Sequence, residues 1–462
     1  MVAPAGCGKT QLIAAALMSH TGPRPVRVLT HTNAGVAALR ARLSLAGVPP
    51  RRYRLSTIDG WALRLGSLFP SRSGVRPQTM ELHNPTRDYP ELRHRVLALI
   101  ASGHISNLLR STYAHVFVDE YQDCSRTQHA LIKLVADILP VVVLGDPMQA
   151  IFDFSLVDPL ADWDADVCAC FPEAATLDTP WRWRNVGNED LGRWLLDVRE
   201  TLRRGDGVDI MSAPTSVQLI RLGSGQEAYL QQLRAARSPA PVPRGSVLII
   251  ADSRKPAEQR RFASQIPGAV TVEAVDLKDF IAFADALEFS ADDVLRRVSG
   301  FAETIMANAS ADDLIARVAA LERGRTRKPA TDAEAAACRF KAAPSPNTMA
   351  ELLEVLNRQG GVRVYRPTVL RACFQALQRC KQDDGASFGK AARRVREEYR
   401  AGLRPVARRA VGSTLLLKGL EADMAVILNA SDMRARHLYV AMTRGARRLI
   451  LCSENSYLTP AA

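Results

Sequence analysis

Two well-separated stretches hold the residue types that phosphate chemistry needs. The first runs Pro4, Ala5, Gly6, Cys7, Gly8, Lys9, Thr10 and Gln11. Its glycines allow successive backbone N–H groups to turn inward around an anion, and a following helix adds the positive end of its dipole. Gln11 to Met18 are strong helix formers, so the turn opens a helix as that chemistry requires. Lys9 would reach the β- and γ-phosphates of ATP, and the Thr10 hydroxyl would take a place on Mg²⁺. A Gly-Lys-Thr turn taken alone is also compatible with plain helix-start chemistry, and Ala3 stands where the general pattern has its first glycine.

The second stretch, Val116-Phe-Val-Asp119-Glu120-Tyr-Gln-Asp123, sets two adjacent carboxylates at the end of an apolar run. Asp119 is suited to holding Mg²⁺. Glu120 would face the neighbouring side, placed to orient and deprotonate an attacking water. The alternative is a strand that ends in a solvated acidic turn. Gly145-Asp-Pro-Met-Gln149 closes the next apolar run, where the Gln149 amide could sense a γ-phosphate or sit in an ordinary turn.

Strands must carry these groups. Val26–Thr30, Val116–Asp119, Val141–Asp146, Ser246–Asp252, Ala425–Asn429 and Leu449–Cys452 are short β-rich runs ending in polar residues, with helical patterns between them. Continuous apolar runs alternating with helices indicate an α/β fold whose parallel strands are buried on both faces. Ligands in such sheets bind at the carboxyl ends of the strands, where the polar residues cluster. Ser71–Pro77 reads as loop and Tyr89–Arg110 as one or two helices. From about 275 to 409 the pattern is helical, with apolar spacing of three and four over Asp279–Leu287, Ala291–Met306 and Ala311–Arg323. Gly324–Pro329 and Ala342–Asn347 read as linkers.

Composition bounds the partners. The 462 residues are 47% hydrophobic and carry a net charge of +13, which favours a polyanion or reflects an arginine-rich proteome. The eight cysteines form no Cys-x-x-Cys pair and have no zinc spacing to histidines, a scatter expected of reduced thiols in a cytoplasm. No apolar run approaches the ~20 residues that span a bilayer, so no membrane role is expected.

The series Ala3–Thr10, Thr30–Asn33, Ser56–Trp61, Asp119–Asp123, Gly145–Gln149, Leu177–Arg182, Lys418–Glu421 and Tyr439–Arg444 resembles, in order, the motifs of superfamily 1 helicases of the UvrD/Rep type. The resemblance implies two RecA-like parallel-sheet domains of the phosphate-loop NTPase class, with ATP and Mg²⁺ in the cleft between them. It gives residues 1–170 as the first domain, with a short insertion at about 66–113. Residues 171–275 and 410–462 form the second, and 276–409 a reduced helical insertion. Arg182 and Arg444 match two arginines brought to the γ-phosphate, a task suited to a planar, always charged, bidentate group. Arg182 could equally be a surface or nucleic-acid contact, since Arg184 lies two positions on. Trp181 matches an aromatic that stacks on adenine, and Glu421 a ribose contact.

The same resemblance implies single-stranded DNA, or DNA ends, as partner. Phe154, the second aromatic of Phe152-Asp-Phe154, matches a base-stacking residue, while Phe152 is expected to pack. His31 fills another stacking slot or a capping turn, Thr32 and Asn33 match residues near the DNA backbone, and Trp61 is either core or contact. Lys390–Arg409 carries seven arginines, which read as a solvated helix face or a phosphate track.

Four departures accompany the likeness. Only Met1 and Val2 precede the loop motif, too few for a buried strand of ~5–6 residues. That start implies either residues upstream of Met1 or loose nucleotide selectivity. Both insertions are small, Leu415 replaces a histidine, and Asp59 replaces another. The reduced size and the Asp59-Gly60-Trp61 variant look like the compact UvrD-like subunit of the Gabija anti-phage system. That likeness implies a hetero-oligomer with an OLD-type nuclease bearing a TOPRIM centre. The expected activity is a DNA-stimulated ATPase that moves 3′→5′; the alternative is a regulatory or scaffolding subunit with little unwinding.

Overall fold

Val26–Thr30, strand β1, is buried along its whole length because both of its faces meet apolar layers. The computed structural model describes residues 1–82, 84–152, 157–325, 327–382, 387–401 and 407–460. In it β1 lies between β2 (Tyr53–Thr57) and β3 (Val116–Val118), and β4 (Val141–Val143) completes a parallel sheet of order β2-β1-β3-β4. Alternate side chains separate to the two faces, as a period of two demands. Val26 and Val28 join Ile13, Leu17, Leu39 and Leu43, whereas Leu29 joins Trp61, Leu65, Leu92 and Val96. Beyond β4, Val2 makes parallel bridges to Gly145 and Thr176, so the chain enters the glycine turn from the sheet plane.

The later strands are β5 (Val208–Asp209), β6 (Val217–Arg221), β7 (Val247–Ala251), β8 (Ala269–Thr271) and β9 (Met306–Ala307). After them come β10 (Arg363–Val364), β11 (Arg409–Ser413), β12 (Ala422–Ile427), β13 (Gly445–Ser453) and β14 (Tyr457–Leu458). The chain divides into two compact units. The first holds Met1–Leu219, Ala430–Leu449 and Asn455–Ala462; the second holds Ile220–Asn429 and Ile450–Glu454.

The second unit holds β12, β7, β11 and β8, which are neighbours in that order and run parallel. Its helices Lys278–Ala286, Val294–Glu303, Ala311–Glu322, Asp332–Ala342, Pro346–Arg358, Pro367–Gln382 and Phe388–Ala401 enclose a separate core that includes Phe280, Val298, Phe340, Leu352 and Val395. The structure is therefore α/β with parallel sheets and flanking helices, consistent with a RecA-like fold. Among the described residues no helix is long and apolar enough to cross a membrane.

Three local expectations are corrected. Ala342–Asn347 is not a linker throughout: Ser345 caps the helix Pro346–Arg358 in a reciprocal capping box with Thr348, and Pro346 supplies the pre-set φ of a first helical residue. Ser71–Pro77 includes the end of a short helix, Pro70–Ser73. Arg409, placed at the end of the helical stretch, instead opens the interior strand β11, and its guanidinium donates to the carbonyls of Ala236 and Ser238.

Candidate functional site

Gly6 and Gly8 adopt left-handed backbone, at φ 72° and 87°, where a side chain would be strained. A Cβ on Gly6 would also meet the Trp183 ring at 2.6 Å. The turn feeds the helix Lys9–Ser19, which has no side-chain cap and no acidic residue in its first turn. Among the described residues, the N–H groups of Gly6, Gly8, Lys9, Thr10 and Gln11 donate to no protein acceptor. Open N–H donors at a helix start suit an anion, which is the fit a triphosphate requires. Cys7 is buried, and burial pushes its thiol up to about 12, so it packs rather than reacts. Pro4 and Ala5 are buried beside it, while Gln11 is exposed.

Lys9 and the strand-end carboxylates meet directly. Its Nζ lies 2.5 Å from Glu120 Oε1 and 3.5 Å from Asp119 Oδ1. Burial alone would lower the Lys9 ammonium, but Glu120 and Asp119 hold it well above its ordinary value. Burial pushes the Asp119 carboxyl up to about 6, against the pull of Lys9 and with the help of the Glu120 charge. Glu120 sits at φ 57°, unusual for a non-glycine residue, a conformation that the surrounding packing must enforce. The Thr10 hydroxyl accepts from Arg42 Nη1 at 3.3 Å. A hydroxyl and a carboxylate are the oxygen ligands Mg²⁺ takes, so Thr10 and Asp119 have the right chemistry to hold one.

The remaining contacts surround this centre. Gln149 Nε2 donates to Asp146 Oδ2 at 3.0 Å, and Asp146 is fully buried. Gln122 spans two groups: its amide nitrogen lies 2.5 Å from Glu120 Oε2, and its Oε1 accepts the Asp146 N–H at 3.0 Å. Arg182 Nη1 donates to the Thr443 carbonyl at 2.6 Å, and its backbone N–H donates to the Gly6 carbonyl at 3.1 Å. Arg444 is buried, with Nε on the Val440 carbonyl and Nη2 on the Thr443 hydroxyl. Tyr439, on the helix Ala435–Met442, accepts the Ala5 N–H through its hydroxyl at 3.2 Å. Lys9, Asp119, Glu120, Gln149, Arg182 and Arg444 therefore fall in one compact unit. Tyr439, Asp146, Gln122 and Arg199, which pairs with Asp146, had not been singled out as site residues.

Trp181 is 46% exposed, with its ring edge against Gly8 and the Arg184 guanidinium 5.2 Å from the ring centroid. An exposed ring beside a phosphate turn can stack on a base. Trp181→Ala is expected to weaken nucleotide binding by roughly 5- to 150-fold, the range of ~1–3 kcal/mol per stacked base, with kcat nearly unchanged. Fluorescent-nucleotide titration checks it. Glu421 is exposed in the turn before β12 and belongs to the second unit.

The expected nucleic-acid contacts divide. Trp61 is 1% exposed, packed edge-on to Tyr113 with the Arg27 guanidinium 5.4 Å from its ring. Of the two expectations for Trp61, core or DNA contact, its burial fits core and not the contact. Thr32 caps the helix Asn33–Leu45 by accepting the Gly35 N–H, and His31 Nε2 lies 3.3 Å from Cys124 Sγ. Asn33 is exposed at that helix start. Phe154 lies outside the described residues. Asp59, which stands in a histidine slot, takes Arg93 in a two-pronged pair at 2.7 Å, and Arg93 also reaches Asp158. On the arginine-rich helix, Arg393 pairs with Asp285 and Arg396 with Glu397, which removes part of the phosphate track.

Comparison with known proteins bears on this geometry. The family model for the UvrD/REP helicase N-terminal domain matches residues 77–160, the span that holds both carboxylates and Gln149. Residues 77–160 thus match a UvrD-like helicase domain. Similar curated proteins include an ATP-dependent helicase/nuclease subunit from Syntrophomonas wolfei, 27% identical over 26% of this chain and 10% of that protein. Its namesake in Lactiplantibacillus plantarum is 35% identical over 16% of this chain and 6% of its own length. The exonuclease/helicase subunit RexA of Lactococcus lactis is 32% identical over the same shares. The UvrD-like match thus spans a tenth or less of these relatives.

Proposed function

We propose that this chain is an ATP-hydrolysing DNA motor of UvrD type, working with a nuclease. The reading is carried by the meeting of Lys9 with Glu120 and Asp119 at the glycine turn, in the unit that also holds Arg182 and Arg444. MgATP, when bound, supplies a γ-phosphoryl group and a divalent cation. The glycine turn and Lys9 bind the phosphates, Thr10 and Asp119 hold the cation, and Glu120 takes the proton of the attacking water. Gln149, Arg182 and Arg444 stabilise the transferred group, and Trp181 stacks on the base.

Residues 1–170 and 171–275 with 410–462 form the two RecA-like domains of this reading, and 276–409 its helical insertion. His31, Thr32 and Asn33 border the path of single-stranded DNA, travelled 3′→5′ in a cytoplasmic setting, and Phe154 is assigned base stacking by its motif alone. The helicase/nuclease names of the similar proteins support a nuclease partner. The finer assignment, a Gabija-like anti-phage complex with an OLD-type TOPRIM nuclease, rests on the Asp59-Gly60-Trp61 variant and the chain's small insertions.

The test is ATP turnover with and without single-stranded oligothymidylate, in wild type and Lys9→Ala. Stimulation by DNA, with turnover lost in Lys9→Ala, is the expected result. Turnover indifferent to DNA would remove the motor and leave a nucleotide-sensing scaffold.

A further inference from the structure

The helix Glu189–Arg203 buries an apolar stripe of Leu191, Leu195, Val198 and Leu202, and within that stripe lies one buried charge, Arg199, 5% exposed. A buried cation is harder to accommodate than an apolar side chain of its size unless its partner repays the desolvation. Here the partners are Asp146, which is fully buried, and Glu200, whose Oε1 accepts from Arg199 Nη1. Arg199 directs Nε, at 3.0 Å, and Nη2, at 2.8 Å, onto the single oxygen Oδ1 of Asp146. The same oxygen accepts the Met148 N–H, and Oδ2 accepts the Gln149 amide. The Asp146 N–H fixes the Gln122 carbonyl, which turns the Gln122 amide nitrogen onto Glu120.

Asp146 is thus a hub between two groups that act on the γ-phosphate side of the site. Arg199 supplies two of the bonds that hold Oδ1; without them the Met148 N–H is left to fix that oxygen, and the carboxylate can turn and carry the Gln149 amide on Oδ2 with it. We propose that Arg199 is a positioning residue of the nucleotide site: by holding the Asp146 carboxylate in place it sets the Gln149 amide and, through Gln122, the Glu120 carboxylate. This rests on the reading of the site as an ATPase.

The experiment uses the full chain and compares wild type with Arg199→Met, Arg199→Lys and Arg193→Met. Arg193 is an exposed arginine of the same helix, paired with Glu189, and serves as the control. ATP turnover, the dissociation constants of ADP and of the non-hydrolysable analogue AMPPNP, and the urea midpoint are measured for each. Arg199→Met should lower kcat by ~10- to 100-fold, the cost of a misplacement near 1 Å, with KM within about threefold. It should also bring the ADP-to-AMPPNP affinity ratio towards one. Arg199→Lys should recover part of both effects, and Arg193→Met neither lose nor gain.

A kcat unchanged in Arg199→Met overturns the proposal. So does a loss that simply follows the urea midpoint and is not recovered by lysine. A wild type that binds AMPPNP without hydrolysing ATP would end the ATPase reading alone. The affinity ratio then judges Arg199, against it if unchanged in Arg199→Met and for it if lost. Absence of nucleotide binding in wild type removes both.

Discussion

Glu120→Gln is expected to lower ATP turnover by ~10²–10⁴-fold, the usual contribution of a positioned general base, while nucleotide affinity holds or rises. The substitution keeps the shape of the side chain and removes its charge. In the structure that charge does two things. It accepts Lys9 and Gln122, one on each oxygen, and it raises the neighbouring Asp119. With the charge gone, Lys9 is held by Asp119 alone and is freer to meet an incoming phosphate. Asp119 also loses a repulsive neighbour and ionises more readily, which favours a bound cation. Single-turnover ATP hydrolysis, paired with equilibrium binding of AMPPNP, separates the two effects. A variant that keeps turnover within about tenfold of wild type would show that Glu120 is not the base. A variant that loses turnover and affinity together would show instead that the Lys9–Glu120 pair builds the site.

The centre of this site was legible in the sequence because its chemistry is local. Glycines, a lysine and a hydroxyl must follow one another to wrap phosphate, and two carboxylates must follow a buried strand. The hub behind it was not. Arg199 lies far along the chain from Asp146, and only the helical stripe of Leu191, Leu195, Val198 and Leu202 could have marked it as an arginine on the buried side. Trp61 shows the reverse case, since an aromatic beside a family motif carries the same letter whether it packs or stacks.

The strands divide the same way. β3 and β7 are readable as unbroken apolar runs, whereas β1 is buried throughout despite Arg27 and β2, which carries Arg54, is only half-buried. β11 lies between β7 and β8, yet it begins with an arginine and contains a glycine, so its composition resembles the helical stretch before it. Strand character there comes from pairing partners, which one segment's composition does not record.

The largest stability effect is expected at Arg366, where Arg366→Ala should cost the second unit ~3–5 kcal/mol. Arg366 is fully buried beside a nearly buried Glu273, with Nε and Nη2 at 2.6 and 2.8 Å from the two carboxylate oxygens. Its Nη1 lies 2.7 Å from Asp279 Oδ2 and reaches the Thr304 carbonyl. Glu273 follows β8, Asp279 is in the first turn of the helix Lys278–Ala286, and Thr304 ends the helix Val294–Glu303. One guanidinium therefore ties the sheet edge to the helical layer. Alanine takes the two-pronged guanidinium away from the nearly buried Glu273 carboxylate. The double variant Arg366→Met/Glu273→Leu removes both charges at similar volume and should be closer to wild type than the single one.

The pH dependence has a definite sign. Burial would raise Asp279, but the hydrogen bond and charge of Arg366 hold it below the ordinary carboxylate range. A depressed carboxylate stabilises the fold above its unfolded pKa of about 3.9 and ceases to as pH falls through the lower folded value. The gap between wild type and Arg366→Ala should therefore hold from pH 7 to about pH 4 and narrow as pH falls below that. All five tryptophans, at 61, 163, 181, 183 and 194, lie in the first unit, so their fluorescence reports on the wrong part of the chain. Urea melts followed by far-UV circular dichroism, with peptide-level hydrogen exchange over 269–382, read the second unit directly. A gap that does not narrow at low pH, or a double variant as unstable as the single one, would mean that Arg366 contributes packing rather than charge.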